Sequence, residues 1–444
     1  MSTPARAPEL RRAIGPVRAT ALVAGIIIGA SIFVQPSEIS AHVPSIAGVF
    51  AVWLTAGALT LCGALLCAEL ASAFPSAGGV YAFLREAFSP PVGFLWGWAM
   101  FWSMHTGIVA AIAVVFARYM GQLVALDDAG VRVVAIAGIA GVTAANYAGV
   151  RIGSALQTAL TVAKVAAIVL VLALGFVLGA RLPEHFRGAT DAPPLTAGGF
   201  TLALIAGLFA YGGWHMVTYA AEETREPERT IPRALWWGVL VVTACYFALN
   251  AVYLYVLPLD TVGRSTRVAA DAADVLLGAG GAGVMAALVM LSSLGALAGV
   301  VLAGPRVYFA MARDGLLFPW LAATHPRHHT PHRALALQAG WAAVLVATGS
   351  YRALFRQVVF TEWLFFGLMA VGVLLLRRRP GYAPRYRVPG FPVLPVVFAL
   401  ACAVVATGRF ALEPRDSILG LLLVLAGLPV YVAWNRRRTG GSPP

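Results

Sequence analysis

The residues able to do chemistry in this chain sit inside apolar runs. The stretch Gly25-Ile26-Ile27-Ile28-Gly29-Ala30-Ser31-Ile32-Phe33 sets small residues in the middle of one run, closed by Pro36. In another, Phe209-Ala210-Tyr211-Gly212-Gly213-Trp214 sets two glycines between aromatics. Glycine is a poor helix former, so both motifs read as points where a helix unwinds. An interrupted helix exposes N–H groups at the start of one half and carbonyls at the end of the other, each with its end of the helix dipole. Together these ends complement a ligand that carries one carboxylate and one ammonium. The expected receptor is the N–H groups around Gly29, Ala30 and Ser31 for the carboxylate and the carbonyls near Phe209 and Ala210 for the amine. An α-amino acid fits that description. Close helix packing through small residues is the competing explanation, and it accounts for one motif better than for two.

Lys164 is the only lysine in the chain and lies in an apolar run with no other charge between Val162 and Leu174. A buried ammonium must be paired, surrounded by carbonyl ends, or neutral. Two roles follow: proton coupling, or a fixed ammonium standing where a sodium ion would bridge the first and eighth runs, with Ser292 and Ser293 as partners. Both argue against sodium coupling. The alternative is that the side chain snorkels to the interface near Arg151. His105, Glu69 and His215 also fall near or within apolar runs; His215 directly follows the second glycine motif and is expected to line the pocket. Phe209, an aromatic at a break, is placed to cover a ligand. The loop His325-Pro326-Arg327-His328-His329-Thr330-Pro331-His332 holds four imidazoles, but prolines and an arginine interrupt them and no cysteine or carboxylate joins them. No metal site and no cofactor are expected.

The elements that must position these residues are membrane spans. Hydrophobic residues make up 60% of the 444 positions and charged residues 11%, a polytopic membrane composition. The net charge of +13 comes from arginines scattered between apolar runs, which argues for membrane orientation and against a nucleic-acid partner. Cys62, Cys67, Cys245 and Cys402 all lie in apolar runs with no disulfide or zinc spacing. The polar start of the chain has no short apolar core with a cleavage site, so no removed signal peptide is expected.

Apolar runs fall at about 20–40, 46–73, 93–121, 131–148, 156–179, 198–221, 234–257, 281–304, 334–350, 358–376, 392–411 and 417–435. The expected fold is therefore all-α and integral to the membrane, with twelve transmembrane helices. With both termini cytoplasmic, about two arginines lie inside for each one outside. The expected division is a cytoplasmic segment 1–19, a first repeat 20–179, a second repeat 198–379, a further pair of spans 392–435 and a cytoplasmic tail 436–444. Five spans per repeat is an odd number, so the second repeat is inverted and helices 1 and 6 are the broken ones. No loop is long enough to hold a separate domain, which puts the site inside the bundle.

These residues resemble the amino acid-polyamine-organocation superfamily and, within it, the L-type amino acid transporter branch. GIIIGASIFVQP is similar to that family's first-span motif, and FAYGGW matches the L-type sixth-span motif letter for letter. The similarity continues through CAELASAFPSAGGVYAFLREAF (67–88), NYAGVRIGSALQTALTVAK (146–164), EETREPERTIPRA (222–234) and RVYFAMARDGLL (306–317). The resemblance implies five-plus-five inverted repeats and alternating access around a central site. It assigns the carboxylate to Gly29, Ala30 and Ser31 with Ile27 nearby, the amine to carbonyls of Ile27 and Phe209, and the substrate side chain to Phe209, Ala210 and Gly212. Phe209 becomes the gating aromatic, and Lys164 matches the family's span-five lysine. Ser31 stands where glycine is usual, which narrows the pocket mouth and argues against large aromatic substrates. His215 replaces an asparagine common in eukaryotic members. Those members pair by disulfide with a heavy chain through a cysteine between spans three and four; residues 121–131 contain none, so no such partner is expected.

The expectation is a bacterial member in the inner (cell) membrane. It would be a sodium-independent carrier of small or medium neutral L-amino acids, working by exchange first and by proton symport second. The inferred pocket holds no carboxylate for a cationic side chain. A cationic amino acid or polyamine carrier is the rival, and its mark would be a buried acid near the site, with Glu69 as the candidate. From another class, an amino acid sensor would bind without transport, but no output module is visible. No nucleophile with a base and no paired acids suggest an enzyme.

Overall fold

The computed structural model describes residues 10–179 and 195–439, so the outer parts of the expected terminal segments lie outside the described residues. The first half of the chain forms α1 (Pro16–Ile27), α2 (Gln35–His42), α3 (Ile46–Ala73), α4 (Val80–Ala87), α5 (Pro90–Ala99), α6 (His105–Met120), α7 (Asp128–Tyr147) and α8 (Val150–Leu178). The second half forms α9 (Ala197–Ala210), α10 (Pro227–Val256), α11 (Leu259–Arg264), α12 (Val268–Leu277), α13 (Gly281–Ala303), α14 (Pro305–Arg313), α15 (His332–Thr348) and α16 (Tyr351–Leu376). There follow α17 (Val393–Leu412), α18 (Pro414–Leu425) and α19 (Gly427–Thr439). The described residues contain no strand. Nine helical stretches among them are long and apolar enough to cross a membrane, and Pro16–Ile27 and Phe360–Leu376 are shorter apolar helices. The short helices α4, α11, α12 and α14 had no counterpart among the apolar runs, because pieces of six to ten residues do not register in a span-length window.

Several helices begin where local chemistry dictates. Ser45, Asp127 and Thr196 sit before α3, α7 and α9, and their side-chain oxygens accept the N–H of Gly48 (3.2 Å), Gly130 (2.7 Å) and Gly199 (3.0 Å). Each satisfies a donor that the first helical turn leaves open. Between α5 and α6 a five-residue π-helical segment, Met100–Met104, offsets the register of that span. As a result α6 turns Ile108, Ala111, Ile112 and Val115, one helical face, toward the interior cavity.

In the bundle α3 packs along α10, α6 along α13 and α7 along α15, while α1 runs between α10, α8 and α13. The approach of α1 to α8 depends on Gly25. A Cβ there would lie 2.1 Å from Thr161 Oγ1 and 2.2 Å from Gln157 Nε2, so a larger residue would displace both side chains.

The side of the bundle that holds the start of α1 is closed by buried polar links. The N–H groups of Ala13 and Ile14 both donate to the Glu223 carbonyl (2.9 Å each), and the Arg225 N–H donates to the Ile14 carbonyl (2.9 Å). Arg306 donates twice to the Glu223 carboxylate (2.6 and 2.9 Å), with both side chains fully buried. Glu69, the acid the rival reading looked to, is occupied elsewhere. It accepts from Arg377 Nε (2.9 Å), Arg377 Nη2 (2.5 Å) and the Val388 N–H (2.7 Å), which makes it a fastener between α3 and the segment after α16.

Candidate functional site

Both glycine motifs are breaks. At the first, α1 ends at Ile27, and Ile28 (φ −71°, ψ 83°) makes a tight turn in which the Gly29 N–H donates back to the Ile27 carbonyl (2.8 Å). A short 3₁₀ turn, Ser31–Phe33, leads into α2, whose second residue is Pro36. The Gly29 N–H, expected for the carboxylate, is thus spent on the chain itself, whereas those of Ala30, Ser31 and Ile32 donate to no group among the described residues. At the second break α9 ends at Ala210, and Gly213 adopts φ +98°, ψ −5°, the left-handed region. A 3₁₀ segment, Trp214–Glu223, carries the chain onward.

The carbonyl ends are held by residues from other helices. The Tyr246 hydroxyl of α10 lies 2.9 Å from the Ile27 carbonyl and 3.0 Å from the Ala210 carbonyl, so one proton donor joins both breaks. The Phe209 carbonyl accepts from the Gly212 N–H (3.1 Å). Lys164, fully buried, donates to the carbonyls of Gly25 (3.0 Å), Ile28 (2.7 Å) and Ser292 (2.9 Å). Three donors meet three acceptors, and the side chain does not snorkel. The Ser292 hydroxyl lies 3.1 Å from the carbonyls of both Ile28 and Gly29. Ser293, expected beside it, has a buried hydroxyl with no hydrogen-bond partner among the described residues, because the next residue of a helix faces about 100° away.

Between the breaks lies a cavity of about 340 Å³. Ile27, Gly29, Ala30, Ser31, Phe209, Ala210 and Gly212 all line it, together with the α6 face and Ala296 and Val300 of α13. Val34 is 48% and Phe209 41% exposed, whereas Ile14, Glu223, Thr224 and Arg306 on the other side are fully buried. The cavity is therefore shut toward the start of α1.

Two sequence expectations need correction. His215 does not line the cavity. The turn that starts after Gly213 directs Trp214 to the cavity and leaves His215 behind the wall, its ring packed on Phe366 (4.9 Å between centroids), Trp214 (5.4 Å) and Trp96 (5.8 Å). The pocket also does contain a carboxylate. Glu362 of α16 lines it with Trp363 and Phe366, and its Oε1 lies 3.7 Å from His215 Nε2. Glu362 was legible as the one acid in the run 358–376, and Tyr246 as a hydroxyl in the run 234–257, but neither carries a sign of what it faces. In the loop after α14, His325 Nδ1 accepts the N–H groups of Arg327 (3.2 Å) and His328 (3.1 Å). That ring shapes a turn, and no group of three His, Cys, Asp or Glu suited to a metal occurs among the described residues.

Gly213→Ala is expected to weaken the fold by about 2–4 kcal/mol, from the left-handed backbone and from overpacking. The new Cβ would lie 2.4 Å from Ile26 Cγ2. Gly212→Ala meets only the Phe209 carbonyl at 3.2 Å and should be milder. Thermal unfolding of the two purified variants checks the order.

A bundle of membrane-length apolar helices with a cavity between two interrupted ones is the architecture of an integral, multi-pass membrane carrier. A family profile for amino acid permeases matches residues 14–432. The chain belongs to the amino acid permease family of the amino acid-polyamine-organocation superfamily, and it is a transporter and not an enzyme. It is 30% identical to the serine/threonine exchanger SteT of Bacillus subtilis (strain 168), over 97% of this chain and 98% of that one. It is 31% identical to the mouse Asc-type amino acid transporter 1, over 96% and 82% of the two chains. With the human cystine/glutamate transporter the identity is 27%, over 97% and 87%.

Proposed function

We propose that this protein is a sodium-independent exchanger of small or medium neutral L-amino acids that works by alternating access. The observation that carries the reading is the pair of unengaged N–H groups at Ala30 and Ser31, two residues that line the same cavity as the broken end of α9. A substrate carboxylate takes those N–H groups, and the ammonium is drawn to the negative carbonyl ends at Ile27, Phe209 and Ala210. The side chain lies against Phe209, Ala210 and Gly212, with Phe209 as the gate. Lys164 supports independence from sodium, because its ammonium already fills the oxygen cluster between α1 and α13. Exchange over net flux is supported by the similarity to the serine/threonine exchanger of Bacillus subtilis.

The reading includes twelve spans in a five-plus-five inverted arrangement, supported by the packing of α3, α6 and α7 along the helices five spans later. It places both termini in the cytoplasm and the protein in the bacterial cell membrane. It also needs no disulfide-linked heavy chain, since residues 121–131 hold no cysteine. Glu362 favours a second reading, in which side chains bearing an ammonium are also accepted.

One experiment separates these readings: uptake of labelled alanine by the purified protein in liposomes. Internal alanine should stimulate uptake at least about tenfold, and a sodium gradient should change nothing. Uptake driven by an acidic exterior without internal substrate would replace exchange by proton symport, and binding without uptake would make the protein a sensor. Competition by lysine as strong as that by norleucine, weakened about tenfold in Glu362→Gln, would establish the second reading. Absence of lysine competition would reject it.

A further inference from the structure

The side of the bundle that holds the start of α1 carries another cavity, of about 440 Å³, that shares no lining residue with the central one. Five arginines line it: Arg11, Arg12, Arg18, Arg151 and Arg225. They come from separate pieces of chain, namely the approach to α1, α1 itself, the start of α8 and the loop that follows the second break. No carboxylate lines this cavity. Among the described residues the acids of the segment that carries Arg225 are engaged: Glu222 with Arg313 (2.6 Å), Glu223 with Arg306 (2.6 Å), Glu226 with Arg229 (3.6 Å) and Glu228 with Arg385 (3.0 Å). None of the five arginines forms an ion pair among the described residues. Arg18 reaches only the Ser154 hydroxyl (3.2 Å) and the Arg151 carbonyl (3.4 Å).

Membrane orientation accounts for arginines on this side of the bundle, but not for their convergence on one concavity from four pieces of chain while Glu222, Glu223, Glu226 and Glu228 pair elsewhere. A guanidinium is charged at any accessible pH and presents a planar fork of donors, which matches phosphate oxygens two at a time. Five of them around one cavity repel one another until an anion enters. The first turn of α1, opened by Pro16, adds the positive end of a helix to the same rim. We propose that this cavity binds a phosphate-bearing anion, supplied by the headgroup of an anionic phospholipid in the adjoining leaflet. Bound there, the phosphate ties α1 to α8 and to the segment that leaves the second break.

The test uses the full-length protein in mixed micelles of dioleoyl-phosphatidylglycerol and dioleoyl-phosphatidylcholine, read by native mass spectrometry. Phosphatidylglycerol should be retained over phosphatidylcholine by at least about tenfold, and retention should fall as salt rises, since exposed charges are screened. The triple variant R11Q/R12Q/R225Q should lose at least about fivefold of that preference, while R132Q/R264Q/R415Q, the same charge change at exposed arginines elsewhere, should keep it. Displacement of the lipid by inorganic phosphate would assign the recognition to the phosphate group from either source, and resistance to displacement would assign it to the lipid. Equal retention of the two lipids by the wild-type protein, or equal loss in both triple variants, overturns the proposal. Where the triple variant fails to fold, the single variants R11Q and R225Q are read in its place, and an unchanged lipid preference in both overturns the proposal.

Discussion

Lys164→Ala is expected to lower amino acid uptake by about fiftyfold or more. The ammonium is the donor for three buried carbonyls, of Gly25, Ile28 and Ser292, and two of these belong to the first break. A buried acceptor left without a donor costs about 1–3 kcal/mol. Two weakened carbonyls at the first break, of which Ile28 keeps only the Ser292 hydroxyl, are enough to move the Gly29 to Ile32 segment out of the geometry a carboxylate needs, and about 1.4 kcal/mol is already a factor of ten. Lys164→Met, which keeps the length and loses the charge, should fail in the same way; packing alone is then not what the residue supplies. Lys164→Arg should also fail, because a Cβ placed on Gly295 would lie 2.8 Å from Lys164 Nζ and the wider guanidinium has no room. The check is labelled alanine uptake in liposomes at matched amounts of folded protein. Wild-type rates in Lys164→Met would sink the argument. The oxygen cluster left by Lys164→Ala is of the kind a hard cation takes, so the same assay with a sodium gradient reports whether the ammonium stands in for an ion.

Arg306→Met should destabilise the protein by about 3–5 kcal/mol, the usual penalty for stranding one partner of a buried ion pair. Arg306 and Glu223 are both fully buried and bind through two hydrogen bonds of 2.6 and 2.9 Å, and Arg306 also donates to the Leu302 carbonyl. The Glu223 backbone carbonyl in turn holds Ala13 and Ile14 at the entrance to α1. The loss therefore strikes the layer that closes the cavity on this side as well as the global fold. Replacing both partners, Arg306→Met with Glu223→Leu, should recover part of the stability, because no uncompensated charge remains. Thermal unfolding of the three variants in one detergent decides the point. A double variant no better than Arg306→Met would mean that the hydrogen bonds of the pair, and not its unpaired charge, carry the effect.

The proposed exchanger and the lipid site make separate demands on these variants. Lys164 and Arg306 lie outside the arginine-lined cavity, so Lys164→Met should retain phosphatidylglycerol while losing transport. The central cavity and the anion site are thus open to independent disproof.

Much of the fold was legible along the chain. The run 46–73 coincides with α3, and the runs that became α7, α8, α10 and α13 end within one residue of the helices, although α8 and α10 start six and seven residues earlier than their runs. Span-length apolar runs, small polar caps and glycine-rich interruptions are properties of neighbouring residues, and the free energies behind them act locally. The same holds for the demand that a lone buried lysine find oxygen partners. What no local pattern could supply is the identity of partners distant in the chain. Tyr246 sits over two breaks because α10 crosses both, and Glu362 enters the cavity because α16 turns that face inward, while one turn of 3₁₀ helix moves His215 behind the wall. Glu69 is spent on Arg377, some three hundred residues away. Five arginines converge because the approach to α1, the start of α8 and the loop after the second break end at one point. Burial and pairing of charge are decided by what surrounds a residue in space, and those surroundings exist only once the helices have packed.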